Sequence, residues 1–213
     1  MSKIKNIIFD LGGVLIRLNY DNVPESFADL GVENFGDIYR QAKQSDLFDK
    51  FEKGAIEPVE FRSIIRGLKS DLSDKQIDHA WNSILIDFPE HYIDVLKGMH
   101  DKYKLFVLSN TNAIHVSAFE RMINLATGFE EFKTQFQELC YSNIIGCRKP
   151  EMKAYGYLLE KYNLKAQETL FIDDTEANIE GARALKIKTC LYPQNADLET
   201  TLPSILANLN KNT

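Results

Sequence analysis

With 213 residues, 44% of them hydrophobic, and a net charge of −6, the chain can bury a substantial core as one large domain or as one domain carrying an insert. No basic block interrupts the acidic balance, which argues against nucleic acid as a partner. No apolar stretch reaches the roughly 18 residues that a membrane span requires, and the three cysteines, Cys140, Cys147 and Cys190, fall at unrelated spacings that suit a reducing compartment better than a disulfide framework. The opening residues, Met1-Ser2-Lys3-Ile4-Lys5-Asn6, run straight into an apolar segment without a signal-peptide pattern. The expectation is a cytoplasmic protein with no membrane partner.

The first predicted element is a strand from Ile4 to Phe9, whose Ile7-Ile8-Phe9 run is apolar at successive positions and therefore reads as buried on both faces. It ends in Asp10-Leu11-Gly12-Gly13. Such a turn puts a carboxylate at the carboxyl end of a strand, where open α/β sheets bind ligands. The glycine pair lets backbone N–H groups approach an anion closely.

From about Asn19 to about Phe88 the texture changes to helical patterning, over Pro24–Leu30, Phe35–Lys43, Pro58–Leu68 and Ser73–Leu85, with no strong strand. Ser73 with Gln76 three residues on reads as a capping box, and Gly54 reads as a helix breaker. Some 70 residues is too long for a crossover loop in a compact domain. The division predicted is a core of residues 1–17 and 92–213, with an inserted helical unit of residues 18–91 lying over the Asp10 end of the sheet, where a lid belongs. Further strands are predicted at Leu105–Leu108, ending in Ser109-Asn110; at Glu138–Ser142; at Leu170–Ile172, ending in Asp173-Asp174; and at Lys188–Tyr192. Strands alternating with helices define an α/β fold with a parallel sheet covered on both faces.

A parallel sheet aligns its strand ends on one edge, so Asp10, Ser109, Asn110, Asp173 and Asp174 converge from distant parts of the chain. Each taken singly also suits an ordinary turn residue or helix N-cap. Three carboxylates packed together repel unless a cation joins them, and Mg²⁺, which prefers carboxylates, waters and phosphate oxygens, answers that need. His79, His91, His100 and His115 show no paired ligand spacing, so zinc is not expected. Lys149, in Cys147-Arg148-Lys149-Pro150-Glu151, precedes a proline that reads as the first residue of a helix. That position draws anions, and it equally suits a solvated lysine. Arg148 reads as structural, and nothing marks Cys147 as a nucleophile.

Together these segments resemble the haloacid dehalogenase-like hydrolase superfamily. Asp10-Leu11-Gly12-Gly13-Val14 is similar to its first motif, Ser109-Asn110 to its second, Lys149-Pro150 to its third, and Asp173-Asp174 with Asn178 to its fourth, in that order from Ile4 to about Tyr192. The resemblance implies a Rossmann-like core with a small all-α cap. It also implies a Mg²⁺-dependent phosphatase of the family's phosphatase branch, acting on a small phosphorylated metabolite, a sugar phosphate being one candidate. In that reading Asp10 attacks phosphorus to form an aspartyl-phosphate. Asp10, the Gly12 carbonyl, Asp174 and Asp173 hold the metal. Ser109, Lys149 and backbone N–H groups of Gly12, Gly13 and Asn110 bind the phosphoryl oxygens.

One position departs from the pattern. The family's phosphatases usually carry a second Asp two residues after the nucleophile, which protonates the leaving group, and here that position is Gly12. A proton must then come from water, the substrate or a cap residue such as Asp46, Asp49, Glu52 or Glu57. Tyr20, Phe48, Phe51 and Trp81 are candidates to line the cap, although burial in the cap's own core suits them as well. Two other readings stay open: a 2-haloacid dehalogenase, whose chemistry needs no metal and is disfavoured by the Asp173-Asp174 pair, and a weakly catalytic binding or regulatory protein that keeps the fold, supported by Gly12 alone.

Overall fold

The structure, a computed structural model, describes residues 3–33, 35–37 and 47–211. Five strands form one sheet: β1 (Asn6–Phe9), β4 (Lys104–Ser109), β5 (Glu138–Tyr141), β6 (Thr169–Asp173) and β7 (Lys188–Leu191), in the order β5-β4-β1-β6-β7 and all parallel. The chain builds outward from β1 in one direction, then crosses back and builds outward in the other. The strand order therefore reverses between β1 and β6, and the crevice beyond their carboxyl ends is where such sheets take ligands.

The unbroken apolar runs follow from burial on both faces. Side chains alternate along a strand. Ile7, Phe9, Leu105, Val107, Leu170 and Ile172 therefore point into one apolar layer, and Ile8, Phe106, Leu108 and Phe171 into the other. The first layer is closed by α5 (Tyr92–His100), α6 (Ala113–Ala126), α7 (Phe129–Lys133) and α11 (Leu198–Lys211). The second is closed by α9 (Met152–Lys161) and α10 (Glu176–Ala184), which place Tyr155, Leu158, Ile179 and Ala182 on the sheet.

The helical segment between β1 and β4 has an apolar core of its own. Here α1 (Asn22–Asp29), α2 (Leu47–Glu52), α3 (Pro58–Arg66) and α4 (Asp74–Asn82) bury Val23, Phe27, Phe51, Phe61, Ile77 and Trp81 together. Phe51 stacks on Phe61 with ring centroids 4.4 Å apart. The capping box forms as predicted, with the Gln76 N–H donating to Ser73 Oγ at 3.3 Å and the Ser73 N–H to Gln76 Oε1 at 3.0 Å. Gly54 adopts φ +68° just after α2, and a Cβ there would lie 2.2 Å from the Asn143 carbonyl oxygen in the short helix α8 (Ser142–Ile145). The helical segment thus packs closely on the sheet domain at that point. Of the helix predicted over 35–43, only residues 35–37 are among those described, and they are helical.

One prediction here is corrected. The helix ending at Leu85 stops instead at Asn82, and Leu85–Asp87 is a strand, β3, paired antiparallel with β2 (Arg17–Leu18). The reason lies in pairing rather than propensity. The chain leaves and re-enters the sheet domain side by side, and the two crossings satisfy each other's backbone groups. An Arg17–Asp87 ion pair caps this ribbon.

Candidate active site

Asp10 follows β1 directly, and its N–H donates to the Ile172 carbonyl at 2.8 Å, so it stands beside Asp173 at the end of β6. Lys149 enters from the loop before α9 and is buried, with 1% of its surface exposed. Its Nζ donates to Asp10 Oδ1 at 2.7 Å and to Asp173 Oδ2 at 2.6 Å. The sequence set Lys149 at the N-terminus of a helix opened by Pro150. The structure corrects this, because α9 starts at Met152 with Glu151 as its N-cap. Residues 148–151 form a turn closed by Glu151 N–H to the Arg148 carbonyl at 2.9 Å, with a cis Lys149–Pro150 bond. Two aspartates, not a helix end, hold the lysine.

Asn110 fixes this arrangement from the next strand. Its side-chain amide donates to the Lys149 carbonyl and accepts from the Lys149 N–H, both at 2.8 Å. The possibility that Ser109 and Asn110 merely cap the following helix is removed. The cap of α6 is Asn112, whose Oδ1 accepts from the N–H groups of Ile114 and His115 at 3.1 Å. Ser109 is buried at the end of β4 and lines the same cavity. On the other side Asn178 Nδ2 donates to both Asp173 oxygens, at 3.0 and 3.1 Å, and Tyr155 holds Asn178 through its carbonyl at 2.7 Å. The Thr175 N–H donates to Asp173 Oδ1 at 2.8 Å, and Thr175 Oγ1 donates to Asp174 Oδ1 at 3.1 Å.

The charges respond to this packing. Burial pushes the Asp10 carboxyl well above its ordinary range, Asp173 adds to the rise, and Lys149 opposes it. Burial would raise Asp173 too, but Lys149 and the Asn178 hydrogen bonds outweigh it, so Asp173 is held low. Asp174 is raised by burial and by Asp173. For Lys149, burial works against the charge, and the two aspartates overcome it and raise its pKa.

The oxygens of Asp10, Asp173 and Asp174 lie within 4.8 Å of one another. Three carboxylates against one ammonium leave a negative, all-oxygen set of the kind that hard divalent cations occupy. Mg²⁺ fits it. Gly13 shows how tightly this corner is built. It sits at φ +78°, and a Cβ there would lie 2.1 Å from Asp174 Oδ2. Gly13→Ala is expected to displace the Asp174 carboxylate and to strain the backbone by about 1–2 kcal/mol. Titration calorimetry should show Mg²⁺ affinity falling at least about tenfold, the scale of a disturbed ligand shell. Unchanged affinity would remove Asp174 from the metal site. Gly12 lies against the helical side, where Leu18 Cδ1 is 2.7 Å from where its Cβ would project.

Asp10, Gly12, Ser109, Asn110, Lys149 and Asp174 line a cavity of about 440 Å³ between sheet and helical segment, with Asp173 buried behind them. Phe48, Phe51 and Trp81 serve both roles considered for them, buried in the helical core and exposed to this cavity. Tyr20, 57% exposed, lies at its mouth. Of the acidic candidates, Asp49 and Glu52 line it, but Arg148 pairs with both, reaching Glu52 at 2.8 Å. Glu57 is exposed and is the N-cap of α3. Asp46 lies outside the described residues. Sequence reasoning did not find Arg148 as the bridge to α2, nor Asn82 and His115. Arg148 adjoins the lysine motif, which was a usable signal. Asn82 and His115 are 33 residues apart, and no local pattern links them.

A parallel sheet with a carboxylate at its switch point, a buried lysine and a cluster of three carboxylates defines an α/β core of the phosphoryl-transfer type. Residues 4–186 match the haloacid dehalogenase-like hydrolase family, and the chain belongs to it. The chain is 26% identical to the D-ribitol-5-phosphate phosphatase of Bacteroides thetaiotaomicron over 95% of its own length and 98% of that protein's. Among solved structures, a HAD family enzyme of the same species, in complex with magnesium and inorganic phosphate, superposes with a TM-score of 0.82 at 35% identity, covering 93% of this chain and 98% of that one. A HAD-like family hydrolase of Porphyromonas gingivalis matches with a TM-score of 0.84 at 27% identity, over 96% and 98%. The L-2-haloacid dehalogenase of Xanthobacter autotrophicus shares the fold at 17% identity and a TM-score of 0.58, over 87% and 76%.

Proposed function

We propose that this protein is a Mg²⁺-dependent phosphatase that hydrolyses a small phosphorylated metabolite of the sugar-phosphate or polyol-phosphate class. The observation that carries the reading is the Asp10–Lys149–Asp173 cluster beside Asp174 at the strand ends. A dehalogenase would gain nothing from Asp174 and Asp173, whose charge opposes an anionic substrate.

In this reading residues 18–91 are a cap, and the core comprises 1–17 and 92–213. An Asp10 oxygen attacks phosphorus, the ester oxygen leaves, and water then cleaves the aspartyl-phosphate. Asp10, Asp173, Asp174 and the Gly12 carbonyl would hold Mg²⁺, which neutralises phosphoryl charge when bound. Lys149, Ser109 and the N–H groups of Gly12 and Asn110 bind the transferred oxygens; the Gly13 N–H, expected among them, is instead donated to the Ile16 carbonyl at 2.8 Å, because the turn after β1 folds back on itself there. Asn110 and Asn178 keep Lys149 and Asp173 in place. Trp81, Phe48 and Phe51 help exclude water from the closed site. Position 12 offers no acid, so leaving groups that depart unprotonated should react best relative to the family's pattern, an absent acid being a loss of about 10²–10⁴-fold. The free cysteines, with burial pushing the Cys140 thiol up to about 12, suit a cytoplasmic setting, and among the described residues no helix is long and apolar enough to cross a membrane.

Phosphate release from p-nitrophenyl phosphate and from a panel of sugar and polyol phosphates, each with Mg²⁺ or with EDTA, tests the reading. Turnover abolished by EDTA and restored by Mg²⁺ is expected. Metal-independent turnover, or none on any ester, contradicts it.

A further inference from the structure

Among the cavity-lining side chains that the mechanism leaves unused is a histidine. His115 lies on the first turn of α6, directly after the strand that delivers Ser109, and it faces the helical segment. Its Nδ1 meets Asn82 Oδ1, at the end of α4, at 2.9 Å. Its ring stacks on Trp81, with centroids 5.2 Å apart and planes 7° from parallel. Two groups on the helical side thus fix one histidine on the sheet side. Burial depresses its pKa from 6.5 to about 3, so the ring is neutral at working pH. A neutral imidazole whose Nδ1–H donates to an amide oxygen presents Nε2 as an acceptor. Nε2 has no protein partner among the described residues, and it is not among their shut-away, unsatisfied polar atoms. It therefore opens on the cavity.

We infer that His115 Nε2 accepts a hydrogen bond from a hydroxyl on the part of the substrate remote from the phosphate, held in its tautomer by Asn82 and in its plane by Trp81. This rests on the phosphatase reading and narrows it. The preferred esters are those of polyhydroxylated carbon chains or rings, because only they make this hydrogen bond, while a hydroxyl-free tail leaves Nε2 to water and gains nothing from it. The wall around His115 suits such a ligand. Trp81, stacked between Phe48 and His115, adds an apolar edge, while Asp49 and Glu52 have their charges engaged by Arg148. His115 is a specificity residue in this account. It has no part in the phosphoryl transfer.

His115→Phe keeps the stack and removes the acceptor, and His115→Gln restores a polar group. We expect kcat/KM of His115→Phe for a five-carbon polyol phosphate to fall about 10- to 100-fold, the range for a lost hydrogen bond that leaves its partner buried and unmet. Turnover of p-nitrophenyl phosphate should stay within about twofold, and His115→Gln should recover part of the loss. Thermal unfolding of each variant reports whether it folds. Equal losses on both esters would overturn the inference by making His115 structural or chemical, and no loss on either would overturn it outright. Wild-type protein inactive on every ester would overturn the phosphatase reading beneath it, a result distinct from the other two.

Discussion

Asp10→Asn should abolish phosphate release while leaving the fold intact. Removing the attacking group of a covalent mechanism costs on the order of 10⁴–10⁶-fold in kcat in enzymes whose catalytic groups act as a unit. Stability should not follow. Asp10, Asp173, Asp174 and Lys149 carry a formal excess of negative charge in a buried corner, and Asp10 is the member that burial and Asp173 both push toward protonation. Neutralising it removes repulsion and leaves Lys149 paired with Asp173 at 2.6 Å. Melting in EDTA should therefore show the variant at least as stable as the wild type, the trade between function and stability expected where a site is built against its own electrostatics. A variant that loses activity only through unfolding would show the opposite.

Lys149→Met should fail on both counts. Lys149 is buried and is the cation between two buried carboxylates. Removing one partner of a buried ion pair destabilises by about 3–5 kcal/mol, because the remaining charge stays desolvated. Turnover should fall by about 10²–10³-fold through the lost stabilisation of phosphoryl charge. The pH dependence has a definite sign. With Lys149 present, Asp173 is held below its ordinary pKa, so its contribution is present at neutral pH and is lost as pH falls through that lowered value. Without Lys149 burial dominates, Asp173 rises, and the folded variant takes up protons that its unfolded chain does not. The stability gap between wild type and variant, measured by denaturant unfolding in EDTA, should narrow from pH 7.5 to pH 5. A gap constant with pH would show that Lys149 acts by packing alone.

What the sequence made legible was whatever depends on local pattern. Apolar runs of three or four residues closed by Asp or Ser-Asn gave the strands and their common edge, because burial on both faces requires such runs and a parallel sheet aligns their ends. Ser73 with Gln76 gave a helix start through a hydrogen-bond pair confined to four residues. The failures came where distant residues decide. Leu85–Asp87 is a strand because Arg17–Leu18 passes beside it, which no window around Leu85 contains. Lys149 owes its position to Asp10, Asp173 and Asn110, each at least 24 residues away, and the helix that Pro150 was expected to open starts two residues later. The His115–Asn82–Trp81 contact joins the two sides of the cavity and is visible only once they are packed.

The central claim is that Asp10 carries the phosphoryl group, and a trapped intermediate tests it most directly. Protein quenched in acid during steady-state turnover can be treated with borohydride, which reduces an acyl phosphate on aspartate to homoserine, and then digested with trypsin. Cleavage after Lys5 and Arg17 yields a peptide, residues 6–17, in which Asp10 is the sole carboxylate side chain. The account predicts homoserine at position 10 in that peptide, dependent on substrate and Mg²⁺ and lost when EDTA is present. Modification at Asp173 or Asp174, or at no residue while phosphate is still released, would contradict it.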